Sequence, residues 1–71
     1  MKTNNNVGRR CYEAFRKYYG TVGKARKAEG FGRNTMSQWL NGTTPRVEVL
    51  YRAYELGMDV MWILTGEGEE Q

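Results

Sequence analysis

The sequence predicts an all-α domain, a compact bundle of about five short helices. Three observations predict it. Apolar residues recur at three- and four-residue spacing, each periodic stretch is bounded by a glycine or a capping residue, and no stretch alternates as a half-buried strand would. A chain of 71 residues also makes a single domain. At that size only about 60% of the unfolded surface can be buried, which favours short helices around one small core.

The first helix starts at Val7, and Cys11, Ala14, Phe15 and Tyr18 form its inner stripe until Gly20 stops it. Thr21 is placed to cap the second, "VGKARKAE", with Val22 and Ala25 inside and Gly30 at its end. The third runs from Arg33 to the stop at Gly42. In "TTP", Thr44 reads as an N-cap and Pro45 as the first residue of the fourth helix, whose inner residues are Val47, Leu50, Tyr51 and Tyr54. Glu48, Arg52 and Glu55 on its polar side are spaced for ion pairs. Asp59 caps a last short helix, "VMWIL", which Gly66 closes. Residues 1–6 read as a mobile arm, 7–66 as the folded domain, and 67–71 as an acidic tail or the start of a linker.

Composition excludes several functions. With no histidine and a lone Cys11, the chain has no Ser-His-Asp or Cys-His nucleophile system and no ordinary zinc site, so neither an enzyme nor a metal or other cofactor is expected. Cys11 reads as a small core residue in a reducing cytoplasm. The opening "MKTNNNV" lacks the apolar segment of a secretory signal, and no run is long enough to cross a membrane. The net charge of +3 is unevenly spread: residues 1–33 hold nine Lys/Arg against two Glu, residues 34–71 two Arg against six acids. One side is thus suited to a polyanion.

The third helix carries the sharpest signal. On a helical wheel over residues 33–40, at about 100° per residue, Met36, Trp39 and Leu40 share one side. Asn34 and Gln38 sit opposite with Ser37, and Arg33 and Thr35 flank them. Exposed helix positions usually favour Glu, Lys, Arg and Ala. Asn and Gln can instead bond adenine N6 and N7 in the major groove, Arg can bond guanine O6 and N7, and Ser or Thr can reach a base or a phosphate. The short helix before it, with its Gly30 turn, completes a helix-turn-helix pattern in which Met36 and Trp39 pin the third helix against the second. Trp39 and Trp62 are expected in the core and not as base-stacking platforms. The tyrosines are expected to pack on helix faces, with an exposed hydroxyl near the basic half able to hold a phosphate.

The stretch "AEGFGRNTMSQWLNG", a capped helix, and "LGMDVMWILTGEG" together resemble the N-terminal DNA-binding domain of phage CI-type repressors in the lambda-repressor-like (XRE) superfamily. The resemblance covers about residues 7–68, and the ending "WILTGEG" is its most specific part. It implies a five-helix lambda-repressor-like fold whose second and third helices form the helix-turn-helix. It also implies that Arg33, Asn34, Ser37 and Gln38 match base-touching positions, with Thr35 and Asn41 able to reach backbone or a base. The family usually has Ala in the middle of the second helix. Arg26 stands there with Ala25 beside it, so either the helix is slightly rotated or Arg26 reaches outward. Full-length relatives continue into a linker and an oligomerisation domain, and this chain ends at Gln71, where that linker would begin.

The expected function is therefore a phage or prophage repressor that binds operator DNA, a palindrome of two half-sites, as a homodimer in the bacterial cytoplasm. Lys24, Lys27, Arg10, Arg16 and Lys17 are candidate phosphate contacts, since neutralising backbone supplies most non-specific affinity. No membrane and no small-molecule substrate are expected. The alternative is a protein-interaction module on the same fold, of antitoxin or anti-repressor type; aromatic and aliphatic anchors on the third helix would favour it.

Overall fold

The computed structural model describes residues 6–67. Most of the expected N-terminal arm and all but Glu67 of the acidic tail lie outside the described residues. Five helices follow in chain order: α1 (Val7–Tyr19), α2 (Val22–Glu29), α3 (Thr35–Leu40), α4 (Val47–Glu55) and α5 (Val60–Thr65). There is no strand among the described residues, and no helix among them is long and apolar enough to cross a membrane.

The longest helix is the hub: α2, α3 and α5 all pack on α1, while α4 leans on α5. Cys11, Ala14 and Phe15 give α1 its buried stripe, and Ala25, Met36, Trp39, Ala53, Trp62 and Ile63 close on it. Three rings anchor α3. Phe31 meets Phe15 edge-on at 5.4 Å and Trp39 edge-on at 5.3 Å between centroids. Each such pair adds roughly 0.5–1.5 kcal/mol beyond burial. The main support of α3 is thus α1, which Trp39 meets directly through Phe15 with the Phe31 ring beside both, and not α2 as the sequence pattern suggests. Cys11 is fully buried, and burial pushes its thiol up to about 12, so it serves packing and not redox chemistry.

Two caps follow the sequence closely. The Thr21 hydroxyl accepts from the Lys24 N–H at 3.1 Å, and the Asp59 carboxylate accepts from the Trp62 N–H at 2.9 Å. Ala25 is the inner residue of α2 and Arg26 is exposed, which settles the register of that helix.

Other expectations are corrected. Tyr18 is exposed and does not join the α1 stripe. Helix α3 begins at Thr35, so Arg33 and Asn34 belong to the turn before it, and Leu40 at its edge is 40% exposed. Residues 43–46 run as a loop, Pro45 is buried within it, and α4 starts only at Val47 with Arg46 at the N-cap. The inward face of α4 is Val49, Leu50, Ala53 and Leu56, whereas Val47, Tyr51 and Tyr54 point outward. Ala53 is the one fully buried residue of α4, and the outward tyrosines keep their hydroxyls in water. Arg52 does not pair with Glu48. It reaches Glu29 at 2.9 Å and Glu55 at 3.7 Å.

Glu29 also accepts the Tyr19 hydroxyl, so one carboxylate ties the ends of α1 and α2 to α4. That hydrogen bond, together with partial burial, raises the pKa of Tyr19. A phenol raised in this way contributes its stability below its ordinary value of 10.0 and loses it as pH climbs further.

The α2–α3 turn depends on Gly30, whose φ of 72° lies in the left-handed region while its N–H caps the Arg26 carbonyl. Nothing crowds the position, so a substitution there costs backbone strain alone. Gly30→Val is expected to destabilise by roughly 1–3 kcal/mol, and at about 4–8 °C per kcal/mol a thermal melt resolves it. An unchanged melt would remove the turn assignment.

Candidate nucleic-acid interface

The outer side of α3 is built from its inner side. Met36 and Trp39 are buried and lie within about 60° of each other on the helix. The side chains facing the other way span an arc of about 100°, in the order Ser37, Asn41, Asn34, Gln38. All four are exposed. Asn34 is the N-cap residue, yet its side chain makes no capping bond, and Asn41 is the C-cap residue. The late start of α3 therefore leaves the polar arc intact and draws Asn41 into it. Arg33 is exposed one residue earlier, in the turn. Thr35 is half-buried, so its hydroxyl is less available than those around it.

Beside this arc lies a groove of about 460 Å³. Thr35 and Gln38 of α3, Gly30 and Phe31 of the preceding turn, and Thr43, Thr44 and Arg46 of the following loop line it. Sequence reasoning misses those last three. The spelling "TTPR" points to a helix start, and only the displaced start of α4 turns these residues into a loop that lines the groove with Gln38. Arg46 is exposed, and among the described residues no carboxylate lies in ion-pair range of it. The pattern that could have found it is charge: in residues 34–71 the only cations are Arg46 and Arg52, and Arg52 is bound to Glu29.

The remaining basic candidates separate into three groups. Lys24 and Lys27 are exposed on α2, about 100° and 160° around the helix from Ala25, one helix before the arc. Arg16 and Lys17 are exposed in the last turn of α1. Lys17 borders a different, smaller cavity of about 210 Å³, with Ala14, Tyr18, Leu56 and Met58, and so does not share the groove beside α3. Arg10 is used elsewhere. Its Nε donates to the Ile63 carbonyl at 2.9 Å and its second terminal nitrogen to Leu64 at 3.4 Å, capping the open end of α5. A half-buried guanidinium with that task is poorly placed to hold a phosphate as well.

Chemically, the arc offers amide and hydroxyl donors and acceptors on a rigid backing, with cations near it and no acidic side chain on α3. Among the described residues, no three His, Cys, Asp or Glu side chains converge as metal ligands. Comparison with protein-family models gives no match, and comparisons with curated proteins and with solved structures give none either.

Proposed function

We propose that the chain is a sequence-specific double-stranded DNA-binding regulator of the phage or prophage repressor kind, with α2 and α3 acting as a helix-turn-helix. The observation that carries this reading is the arc of Asn34, Ser37, Gln38 and Asn41, held outward by the burial of Met36 and Trp39. Side chains that both donate and accept, on a helix narrow enough for the major groove, suit the reading of base edges. A protein partner would instead be met by aromatic and aliphatic anchors, which the arc lacks. The similarity of "AEGFGRNTMSQWLNG" and "WILTGEG" to CI-type repressors supports the same reading.

In this proposal Arg33, Asn34, Ser37 and Gln38 read bases. Lys24, Lys27, Arg16 and Asn41 hold backbone, and Arg46 joins them from the groove. Two copies bind together on DNA, and the exposed Met61 and Leu64 of α5 give them an apolar contact. Occupancy of an operator then blocks transcription. The test is selection of bound duplexes from a random pool. The expected product is one enriched motif of two symmetric half-sites about 10 base pairs apart or a multiple of that. Absence of enrichment, with no gel shift of any duplex at low salt, would sink the proposal.

A further inference from the structure

Both aromatic side chains of α4, Tyr51 and Tyr54, are on the side away from the core. Val47, Tyr51 and Tyr54 are 77%, 60% and 67% exposed, in one row at four- and three-residue spacing. The face that packs inward is aliphatic, built from Val49, Leu50, Ala53 and Leu56. The two tyrosine rings already lie against each other, 6.1 Å apart and tilted by 36°. Tyrosines, with few rotatable bonds, lose little freedom when covered and are typical centres of binding energy. The row also points away from the candidate DNA surface. Val49, which lines the groove beside α3, lies about 160° around the helix from Tyr51.

From this geometry we infer that α4 is a docking face for a second protein, and that its occupant is an amphipathic helix with Lys or Arg along one flank. The flank decides the occupant. Glu48 and Glu55 run along one edge of the row and are exposed, while Leu50 borders the other edge. The nearby Arg52 is bound to Glu29 and Glu55 and so does not offset both acids. A second copy of this chain fits poorly. Antiparallel pairing of two α4 helices sets Glu48 of one copy near Glu55 of the other, and parallel pairing lays both acids over Leu50; the first repels and the second buries unpaired charge. A helix with apolar residues every three or four positions and a basic edge covers the row and neutralises the acids.

The experiment is an NMR titration of the chain with a synthetic leucine–lysine amphipathic peptide of roughly four turns, alongside the same peptide with glutamate for lysine. Amide shifts are expected across residues 47–55, stronger for the basic peptide. Tyr51→Ser with Tyr54→Ser should weaken binding roughly 10-fold or more. Glu48→Lys with Glu55→Lys should reverse the order of the two peptides. All these side chains are exposed, and a melt of each variant verifies the fold. Shifts elsewhere or none, or equal binding of both peptides by the parent, would overturn the inference. So would self-association in sedimentation that the tyrosine variant abolishes, since the row would then belong to a second copy. The inference does not rest on DNA binding, which the tyrosine variant should leave unchanged.

Discussion

Gly8→Ala is expected to lower the melting temperature by roughly 12–24 °C, from a cost near 3 kcal/mol at about 4–8 °C per kcal/mol. The position is in the first turn of α1 and is buried. A Cβ added there would lie 2.3 Å from the Trp39 carbonyl oxygen and 2.8 Å from that of Thr43. Both atoms are backbone, so no side chain can swing aside. The Trp39 carbonyl also accepts from the Gly42 N–H at 3.2 Å, and the Thr43 N–H donates to the Gln38 carbonyl at 3.0 Å. To make room, the end of α3 and its loop would have to move as one piece away from α1. Gly23→Ala is the matched control. It lies within α2, nothing comes within 4 Å of its added Cβ, and a gain of roughly 0.5–1 kcal/mol is expected from helix propensity. Circular-dichroism melts of the two variants decide the matter. A Gly8→Ala melt within a few degrees of the parent would mean that the close approach does not set the position of α3.

How much of the fold is readable from the sequence depends on whether local chemistry or packing makes the decision. Thr21 and Asp59 cap their helices because a cap needs only its own side chain and an N–H three residues on. Gly30 is legible for the same reason. The polar face of α3 survives a helix start two residues late because Ser37 and Gln38 stay within the helix and Asn34 and Asn41, its two cap residues, are exposed beside them. Helix α4 is misread because it is apolar around most of its circumference. Periodicity offers two faces there and favours the larger residues, while packing chooses the smaller Ala53. Gly8 leaves no trace in the pattern, since its role is set by atoms more than thirty residues away. The placement of Arg10 and Arg46 is hidden for a related reason. One is consumed by the end of α5 and the other is exposed by a loop, and neither partner is near in sequence.

Reading and holding should separate under mutation. Asn34 and Gln38 are exposed on the outer arc of α3, and neither side chain supports the core, so truncation should leave the melt unchanged. If they read base edges, Asn34→Ala or Gln38→Ala costs about 1–3 kcal/mol on the selected operator and relaxes preference at one base position per half-site. On scrambled duplex the same variants should bind like the parent, because phosphate neutralisation dominates there. Lys27→Ala should do the opposite. Its ammonium sits on the outer side of α2, and removing it should lower affinity for every duplex alike. The slope of log affinity against log salt should flatten by about one for each phosphate no longer neutralised. Arg10→Ala is expected to act through stability instead, because its guanidinium caps the Ile63 and Leu64 carbonyls. Binding isotherms for the four variants on operator and scrambled DNA, at several salt concentrations, distinguish these outcomes. Equal weakening on both DNAs for Asn34→Ala and Gln38→Ala would show that α3 holds the duplex without reading it. An effect confined to Lys27→Ala would assign recognition to charge alone, and an unaltered set would remove DNA from the surface of α3 altogether.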